Sequence, residues 1–174
     1  MHRARTSGFT LVELMVTIAI VAILLAVGLP SFQGSLRSNR VATTTNEMLA
    51  SLSLARTEAI RSTQSSLVCA RDGAVCGDDW NQGWLVMTDT DGDDAYETLV
   101  KAVDAHPNLR IAMELDGAAA DMVVFDRRGR TTDGAGTERH VEISPDADDA
   151  LAAHFRCMRI TAVGQVTTES EACE

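Results

Sequence analysis

The chain has 174 residues, of which 45% are hydrophobic and 23% are charged, and its formal net charge is −10. This length accommodates one compact domain with an appendage and excludes a large multidomain enzyme. The acidic excess is unfavourable for nucleic-acid binding, which depends on Lys and Arg at phosphates, and the apolar content excludes a collagen, a coiled-coil rod or a disordered acidic tail.

The apolar residues are concentrated near the N-terminus. No charged side chain occurs between Leu14 and Leu36, and a helix of this length would extend roughly 34 Å, enough to cross the hydrocarbon core of a bilayer. A short leader containing Arg3 and Arg5 precedes the segment, which predicts that the N-terminus stays in the cytoplasm and the rest lies outside. Because no small-residue cleavage site follows, hydropathy alone indicates an uncleaved signal anchor.

Glu13 lies at the start of this apolar segment, where a carboxylate is costly unless it has a partner. The sequence GFTLVE from Gly8 to Glu13, followed by LMVTIAIVAILLAVGLP, resembles the class III signal of type IV pilins and type II secretion pseudopilins. The resemblance implies that a prepilin peptidase cuts after Gly8, where the backbone is accessible because no Cβ is present. Phe9 would become the N-methylated first residue. Glu13 would pair with the amino terminus of a neighbouring subunit and set the register of assembly.

Pro30 lies within the same segment, between Gly28 and Gly34. A proline removes one backbone hydrogen bond of a helix, and the flanking glycines lower its stiffness, so a kink is expected here. A tolerated proline in a membrane helix is the alternative interpretation. Pilin-like sequences commonly carry a proline at this place, and the resemblance implies local melting of the helix in a filament.

Residues 37–62 predict an amphipathic helix that continues the apolar one. One face carries apolar residues at helical spacing, and the other carries arginine and glutamate. We expect the apolar face to pack on a sheet, while the preceding half remains free to bundle with other subunits. This face consists of Val41, Met48, Leu52, Ala55 and Ala59, widened by Leu49 and Ile60.

The rest of the chain predicts short strands separated by Asp-Gly and Arg-Gly turns. A helix followed only by strands indicates an α+β fold with mostly antiparallel pairing. The predicted strands are Leu67–Ala70, Gly83–Thr88, Thr98–Val103, Leu109–Leu115, Met122–Asp126, His140–Ser144 and Phe155–Val163.

Two further stretches, NRVATTTNEMLASLSLARTEAIRSTQSSLVCA from Asn39 and WNQGWLVMTDTDGD from Trp80, resemble minor pilins of the GspH/FimT family. VVFDRRGR from Val123 and RITAVG from Arg159 carry the resemblance more weakly. The family fold is a type IV pilin-like fold, a long N-terminal helix packed on antiparallel sheets. The implied organisation is a leader at residues 1–8, a transmembrane and assembly helix at 9–36, the amphipathic helix at 37–62 and a periplasmic β-rich head at 63–174.

Four cysteines allow three pairings, and a head outside the cytoplasm is expected to be oxidised. A disulfide between Cys69 and Cys76 would close a tight loop, and one between Cys157 and Cys173 would tie the final strands to the chain end. Longer loops gain more from closure, but pairing of near neighbours suits these separate segments better. Free buried thiols are the alternative, and the absence of a C-x-x-C pair disfavours zinc.

The sequence DTDGDD from Asp89 to Asp94 has the alternating acidic oxygens and the glycine of a calcium loop. However, Gly92 is fourth in this run rather than sixth, and Leu99 and Val100 occupy the region where an EF-hand needs its final glutamate. The turn of a β-hairpin is therefore favoured over a metal site. No metal and no cofactor is predicted.

One dense basic cluster occurs in this acidic chain. Some FimT-like pilins bind DNA through a glycine-arginine-x-arginine motif near the C-terminus, but this chain reads GQVT at residues 164–167 and lacks both arginines. A solvated turn with paired arginines is therefore favoured over a DNA-binding surface. The candidate DNA-binding residues are Arg127, Arg128 and Arg130, with Arg156 and Arg159 as further members.

No catalytic motif of the G-x-S-x-G, H-E-x-x-H or P-loop type occurs, and His106, His140 and His154 lie in separate segments. An enzyme is therefore not predicted. The resemblance implies a minor type IV pilin (FimT/FimU-like), held in the bacterial inner membrane by a single pass with its C-terminal head in the periplasm, and then incorporated into a pilus or pseudopilus.

Two alternative functions remain open: an H-type pseudopilin of the type II protein secretion system, and a DNA-binding competence pilin. The implied partners are the prepilin peptidase, other minor pilins or pseudopilins, the major pilin and the inner-membrane assembly platform, with membrane lipid before assembly. DNA is a disfavoured partner.

Overall fold

The computed structural model describes residues 9–132, 139–146 and 154–173, with the side chains of residues 27–31 excepted. The chain divides into two compact units, Met1–Arg37 and Ser38–Glu174. One helix, α1, spans Leu11–Ser62 and so contributes to both. All other helices and strands of the described residues belong to the second unit, which is called the head below.

The C-terminal half of α1 buries the predicted apolar face. Val41, Met48, Leu52, Ala55 and Ala59 are fully buried, as their helical spacing requires. Leu49 packs against the core from a half-buried position. The expected widening at Ile60 is wrong in part, because this side chain is 50% exposed at the edge of the face.

The end of α1 at Ser62 has a local cause. Thr63 adopts a φ of 60°, a left-handed conformation that is costly for a β-branched residue and that cannot continue a helix. The hydroxyl of Ser62 accepts a hydrogen bond from the backbone N–H of Gln64 at 3.3 Å. The chain therefore turns here and enters the first strand.

Ten strands and one short 3₁₀-helix, Trp80–Gln82, follow α1 in the described residues. The strands before the 3₁₀-helix are β1 (Ser66–Asp72) and β2 (Val75–Cys76). Those after it are β3 (Gly83–Thr88), β4 (Thr98–Asp104), β5 (Leu109–Leu115), β6 (Ala118–Ala119), β7 (Met122–Phe125), β8 (Arg139–Pro145), β9 (Arg156–Ile160) and β10 (Val166–Glu169).

These strands form two antiparallel sheets. The first sheet has the order β2-β1-β3-β4, and β7 pairs with β1 on the same side as β2. The second has the order β10-β9-β8-β5-β6. Every named pairing is antiparallel, which confirms the predicted α+β fold.

A single core joins the C-terminal half of α1 to one face of each sheet. It contains Val68 and Phe125 from the first sheet and Ile143 and Met158 from the second, together with Leu52 of α1. The opposite face of the first sheet is buried as well, because a smaller cluster of Leu67, Cys69, Leu85 and Met87 packs under Cys76, Tyr96 and Val124. Burial on both faces explains why β1 and β3 read as continuous apolar runs.

Two of the predicted strands have the same bounds in the structure. Gly83–Thr88 and Leu109–Leu115 have the predicted bounds, and the former pairs with Thr98–Asp104 in the predicted hairpin. The last predicted strand, Phe155–Val163, is too long, because the backbone turns where Gly164 donates its N–H to the carbonyl of Thr161 at 2.8 Å. The short strands β2 and β6 and the final strand β10 are not predicted from the sequence.

Candidate functional site

The start of α1 is organised by Thr10. Its hydroxyl accepts the backbone N–H of Glu13 at 3.2 Å, and its carbonyl accepts the N–H of Leu14 at 3.1 Å. Thr10 is thus the N-cap residue, and Glu13 is at the third helical position, the T-x-x-E spacing of a capping box. The carboxylate of Glu13 also lies in the first turn, where the helix dipole favours negative charge.

The apolar side chains of this part of α1 are exposed. Phe9, which precedes the helix, is 77% exposed. Every large apolar residue from Leu11 to Leu25 is more than half exposed, and Phe32 is as well. This segment therefore presents an apolar surface on all sides of the helix instead of one buried face.

Two of the predicted processing and assembly residues lie outside the described residues, namely Gly8 and the side chain of Pro30. The backbone of Pro30 is part of α1. Among the described residues, no helix has a stretch long and apolar enough to span a membrane.

Both disulfides join near neighbours in sequence. Cys69 is bonded to Cys76, and Cys157 is bonded to Cys173, which is the pairing that the sequence analysis favours. The first disulfide closes the β1–β2 hairpin over the smaller apolar cluster. The second holds the C-terminal residues on β9, where the N–H of Cys173 also donates to the carboxylate of Glu142 at 3.1 Å.

The acidic loop between β3 and β4 is organised around Asp89. Its buried carboxylate accepts backbone N–H groups of Gly92 at 2.7 Å, Asp94 at 3.1 Å and Asp91 at 3.2 Å. These hydrogen bonds, that of Gly92 first, lower the pKa of Asp89. Carboxylate oxygens of Asp89, Asp91 and Glu97 come within 4.8 Å of one another, and Glu97 is a member that the sequence analysis did not include.

The candidate DNA-binding arginines are divided between two places. Arg127, Arg128 and Arg130 lie on the turn after β7, where Arg130 forms an ion pair with Asp126 at 3.0 Å. Desolvation raises the pKa of Asp126, but the hydrogen bonds from Arg130 and Arg128 lower it by more, so the pKa is lowered overall. On β9, Arg159 pairs with Glu169 at 3.3 Å, and Arg156 donates to the neighbouring carbonyl of Phe155 at 2.7 Å. DNA binding stays a prediction that the sequence disfavours.

Arg56 of α1 joins two turns of the head, a role that sequence reasoning missed. Its Nε donates to the carbonyl of Gly129 at 2.9 Å, and its Nη2 donates to the carbonyl of Val163 at 3.1 Å. Gly129 and Gly164 have φ values of +72° and +73°, and a Cβ on Gly164 would lie 2.1 Å from the carbonyl oxygen of Gly129. The two turns therefore pack backbone to backbone under one guanidinium, which only glycines permit.

The histidines occupy separate places. The Nε2 of His106 contacts the carboxylate of Glu47 on α1 at 2.8 Å, and the His106 ring lies 5.5 Å from that of Trp84. His140 lines a cavity of about 80 Å³ with Glu114, Glu142 and Cys173. The only group of three metal-ligating side chains that meets in the described residues is the acidic one at Asp89.

The fold and its exposed N-terminal helix define the class of protein. The structure is similar to the crystal structures of the type IV minor pilin FimU of Pseudomonas aeruginosa strain PAO1. In one crystal form the match has a TM-score of 0.61 at 20% identity and covers 78% of this chain and 94% of FimU. In another, the values are 0.58, 20%, 76% and 97%. The minor pseudopilin EpsH from the type 2 secretion system of Vibrio cholerae matches with a TM-score of 0.55 at 14% identity over 75% of this chain and 97% of EpsH.

The fold is thus the type IV pilin-like fold. The family model for the type II transport protein GspH matches residues 44–164, and the prokaryotic N-terminal methylation motif matches residues 3–29. The chain belongs to the GspH family and is a minor pilin or pseudopilin of the GspH/FimT type. No curated protein matches it.

Proposed function

We propose that this chain is a minor subunit of a type IV pilus and that it enters the filament through the N-terminal half of α1. The observation that carries the proposal is the exposure of every large apolar side chain from Leu11 to Leu25. An apolar surface of this extent is unfavourable in water at about 25 cal/mol per Å². It calls for lipid before assembly and for the helices of other pilins afterwards, with the head in the periplasm.

Processing follows from the same segment. A prepilin peptidase cuts after Gly8 and the new amino terminus at Phe9 is N-methylated, which the methylation motif over residues 3–29 supports. The assembly partners are other minor pilins, the major pilin and the inner-membrane platform. The role is structural association, and no catalytic step is assigned to the chain.

Glu13 acts in this proposal through its charge, which pairs with the amino terminus of a neighbouring subunit and sets register. The N-cap does not depend on this side chain, because the Thr10 hydroxyl accepts the backbone N–H of Glu13. Glu13→Gln removes the charge and keeps a polar side chain of the same size, whereas Glu13→Ala also removes the polar side chain. If charge sets register, both variants fail to assemble to the same extent.

The experiment is to delete the gene in a strain with blocked retraction and to count surface pili by electron microscopy. We expect a sharp fall in pilus number that the wild-type gene restores and that Glu13→Gln and Glu13→Ala do not. Normal pilus numbers after deletion would contradict the pilus role. Full complementation by Glu13→Gln would contradict the role given to the charge of Glu13.

An H-type pseudopilin of the type II secretion system is the second candidate. The match of the GspH family model favours it, and EpsH has the same fold. Protein export by the deletion strain separates the two: lost export with normal pili identifies a pseudopilin, and lost pili with normal export identifies a pilin.

A further inference from the structure

One exposed surface of the head combines apolar and cationic side chains beside the last turns of α1. Ile60 of α1 is 50% exposed, and Val163, on the turn after β9, is 59% exposed. Two closely packed turns lie between them. A Cβ on Gly129 would lie 2.7 Å from Cδ1 of Ile60, and one on Gly164 would lie 2.1 Å from the carbonyl oxygen of Gly129. The two apolar side chains therefore flank one continuous surface.

The turn Asp126–Arg130, called the arginine turn below, supplies the charge. The carboxylate of Asp126 accepts the backbone N–H groups of Arg128 at 2.8 Å and Arg130 at 2.9 Å, and also Nε and Nη2 of Arg130 at 3.1 Å and 3.0 Å. Because a carboxylate has about four lone-pair sites, Asp126 cannot also neutralise its other neighbours. Arg127 and Arg128 are exposed, and neither forms an ion pair within the described part of the chain.

Arg56 adds a third guanidinium to this surface. It donates to the backbone carbonyls of Gly129 and Val163, which are uncharged acceptors, and it has no ion pair with a carboxylate of the described residues. Positive charge is thus concentrated here in a chain whose net charge is −10. We call this surface the cationic patch, and it consists of Ile60, Arg127, Arg128 and Val163 around Arg56.

The backbone of the cationic patch is fixed by hydrogen bonds within the head. The N–H of Gly129 donates to the carbonyl of Asp126 at 2.8 Å and closes the arginine turn. The N–H of Thr131 donates to the carbonyl of Ala162 at 3.1 Å and ties this turn to the one after β9. Both apolar side chains of the patch are β-branched and therefore have few rotamers. A partner that covers the patch thus orders little that is not ordered already, which favours binding.

We propose that the cationic patch docks an acidic segment of a different subunit in the same filament. Carboxylates of that segment pair with the guanidinium groups of Arg127 and Arg128, and an apolar side chain of the segment covers Ile60 and Val163. Since the chain is of the minor pilin or pseudopilin type, its neighbours are other pilins rather than copies of itself. This inference rests on the filament role in the proposed function and names the head surface that serves it.

The apolar members of the patch favour a protein over DNA as the partner. A phosphate backbone could pair with Arg127 and Arg128, but it would leave Ile60 and Val163 in water. DNA binding also depends on the neutralisation of many phosphates, whereas only two arginines of the patch are fully exposed. A protein segment with acidic and apolar side chains matches both the charge and the apolar surface.

Photo-crosslinking of the full chain in the retraction-blocked strain tests the docking. A benzophenone-bearing phenylalanine analogue replaces Val163, and in the matched control it replaces Val75. Val75 is 61% exposed on β2, at the end of β1 away from the arginine turn. We expect position 163 to cross-link to an acidic segment of another pilin with a yield about tenfold or more above position 75. Equal yields, or cross-links to a second copy of this chain, would overturn the proposal.

Charge reversal gives the second arm. Arg127→Glu with Arg128→Glu should reduce the cross-link from position 163 about tenfold or more, because like charges would then face each other. Arg110→Glu changes an exposed arginine at the end of β5 away from the turn after β9 and should leave the yield unchanged. If the reversal variant fails to fold, Arg127→Gln with Arg128→Gln decides.

The outcomes separate this inference from the proposed function. If deletion of the gene abolishes pili but the cross-link is absent or insensitive to reversal, the filament role stands and the docking is wrong. Normal pili together with a reversal-sensitive cross-link to a pseudopilin would contradict the pilus role and support the docking. A gel shift of double-stranded DNA by the full chain in detergent, lost in Arg127→Glu with Arg128→Glu, would assign the patch to DNA and overturn the protein partner.

Discussion

The two halves of α1 differ in what surrounds equally apolar side chains. Leu24 is 65% exposed, whereas Leu52 is fully buried under the sheets. Both are leucines in one uninterrupted helix, so neither residue type nor helix propensity explains the difference. The head folds around the second half and supplies its core, whereas the first half leaves its apolar side chains exposed. In the proposed function these exposed side chains serve assembly, and the buried ones serve folding.

The largest expected effect distinguishes these two halves directly. Leu52→Ala should lower the free energy of unfolding of the head by about 2–5 kcal/mol, because it removes buried methyl groups and leaves a cavity. Leu24→Ala makes the same chemical change on an exposed surface and should change it by less than about 0.5 kcal/mol. Denaturant unfolding of the full chain in detergent measures both. Equal losses would mean that the first half also stabilises the head.

The second prediction tests the close contact between the turns at Gly129 and Gly164, which lie under Arg56 in the part of the head formed by the sheets. In Gly164→Ala the new Cβ would lie 2.1 Å from the carbonyl oxygen of Gly129, so the turns must separate. We expect a loss well above the roughly 1–2 kcal/mol that a left-handed φ costs an L-residue. Gly117→Ala is the matched control, since its φ is +79° and no atom lies within 4 Å. Equal decreases in melting temperature for the two variants would contradict the close contact between Gly164 and the Gly129 carbonyl.

Arg56→Lys tests the guanidinium itself. Lysine keeps the charge but cannot reach both the Gly129 and the Val163 carbonyls with a planar fork. The expected loss is about 1.5–3 kcal/mol, as for hydrogen bonds from a charged donor. Arg61→Lys on the same helix alters an exposed ion pair and should leave the stability nearly unchanged. Equal melting temperatures for the two variants would mean that the hydrogen bonds from Arg56 to the two turns do not stabilise the head.

The smallest effect concerns pH and the acidic loop. Hydrogen bonds lower the pKa of Asp89 in the folded state. The contribution of this carboxylate to stability is therefore complete above the unfolded pKa of about 3.9. This contribution is lost as the pH falls below that value toward the folded pKa. Asp89→Asn should therefore lower the melting temperature at pH 7 and flatten its fall in acid. A parallel acid profile for wild type and variant would contradict this role of the carboxylate.

Much of the fold follows from periodicity in the sequence. Apolar residues at helical spacing identify the buried face of α1, and strict alternation identifies Leu109–Leu115 with its bounds. These features are local, because each residue type is matched to a period of 3.6 or 2 within one element. The short strands β2, β6 and β10 escaped prediction because each is defined by its partner strand rather than by a pattern of its own.

The contacts of the head surface could not be predicted in the same way. Arg56 meets Gly129 and Val163 across 73 and 107 residues of sequence, and Glu97 joins Asp89 only because the loop folds back. No periodicity links such positions. Ile60 shows the converse case: its spacing places it near the apolar face, but its side chain is 50% exposed in the folded head.

The sequence by itself determined the leader motif, the apolar helix, the amphipathic continuation and the α+β order, since these depend on composition and spacing along the chain. The near-neighbour disulfides also followed from the separation of their segments. Only the tertiary structure decided which half of α1 is covered and how Arg56 holds the turns at Gly129 and Val163 together. These contacts join residues that lie far apart in sequence, and folding alone brings them together.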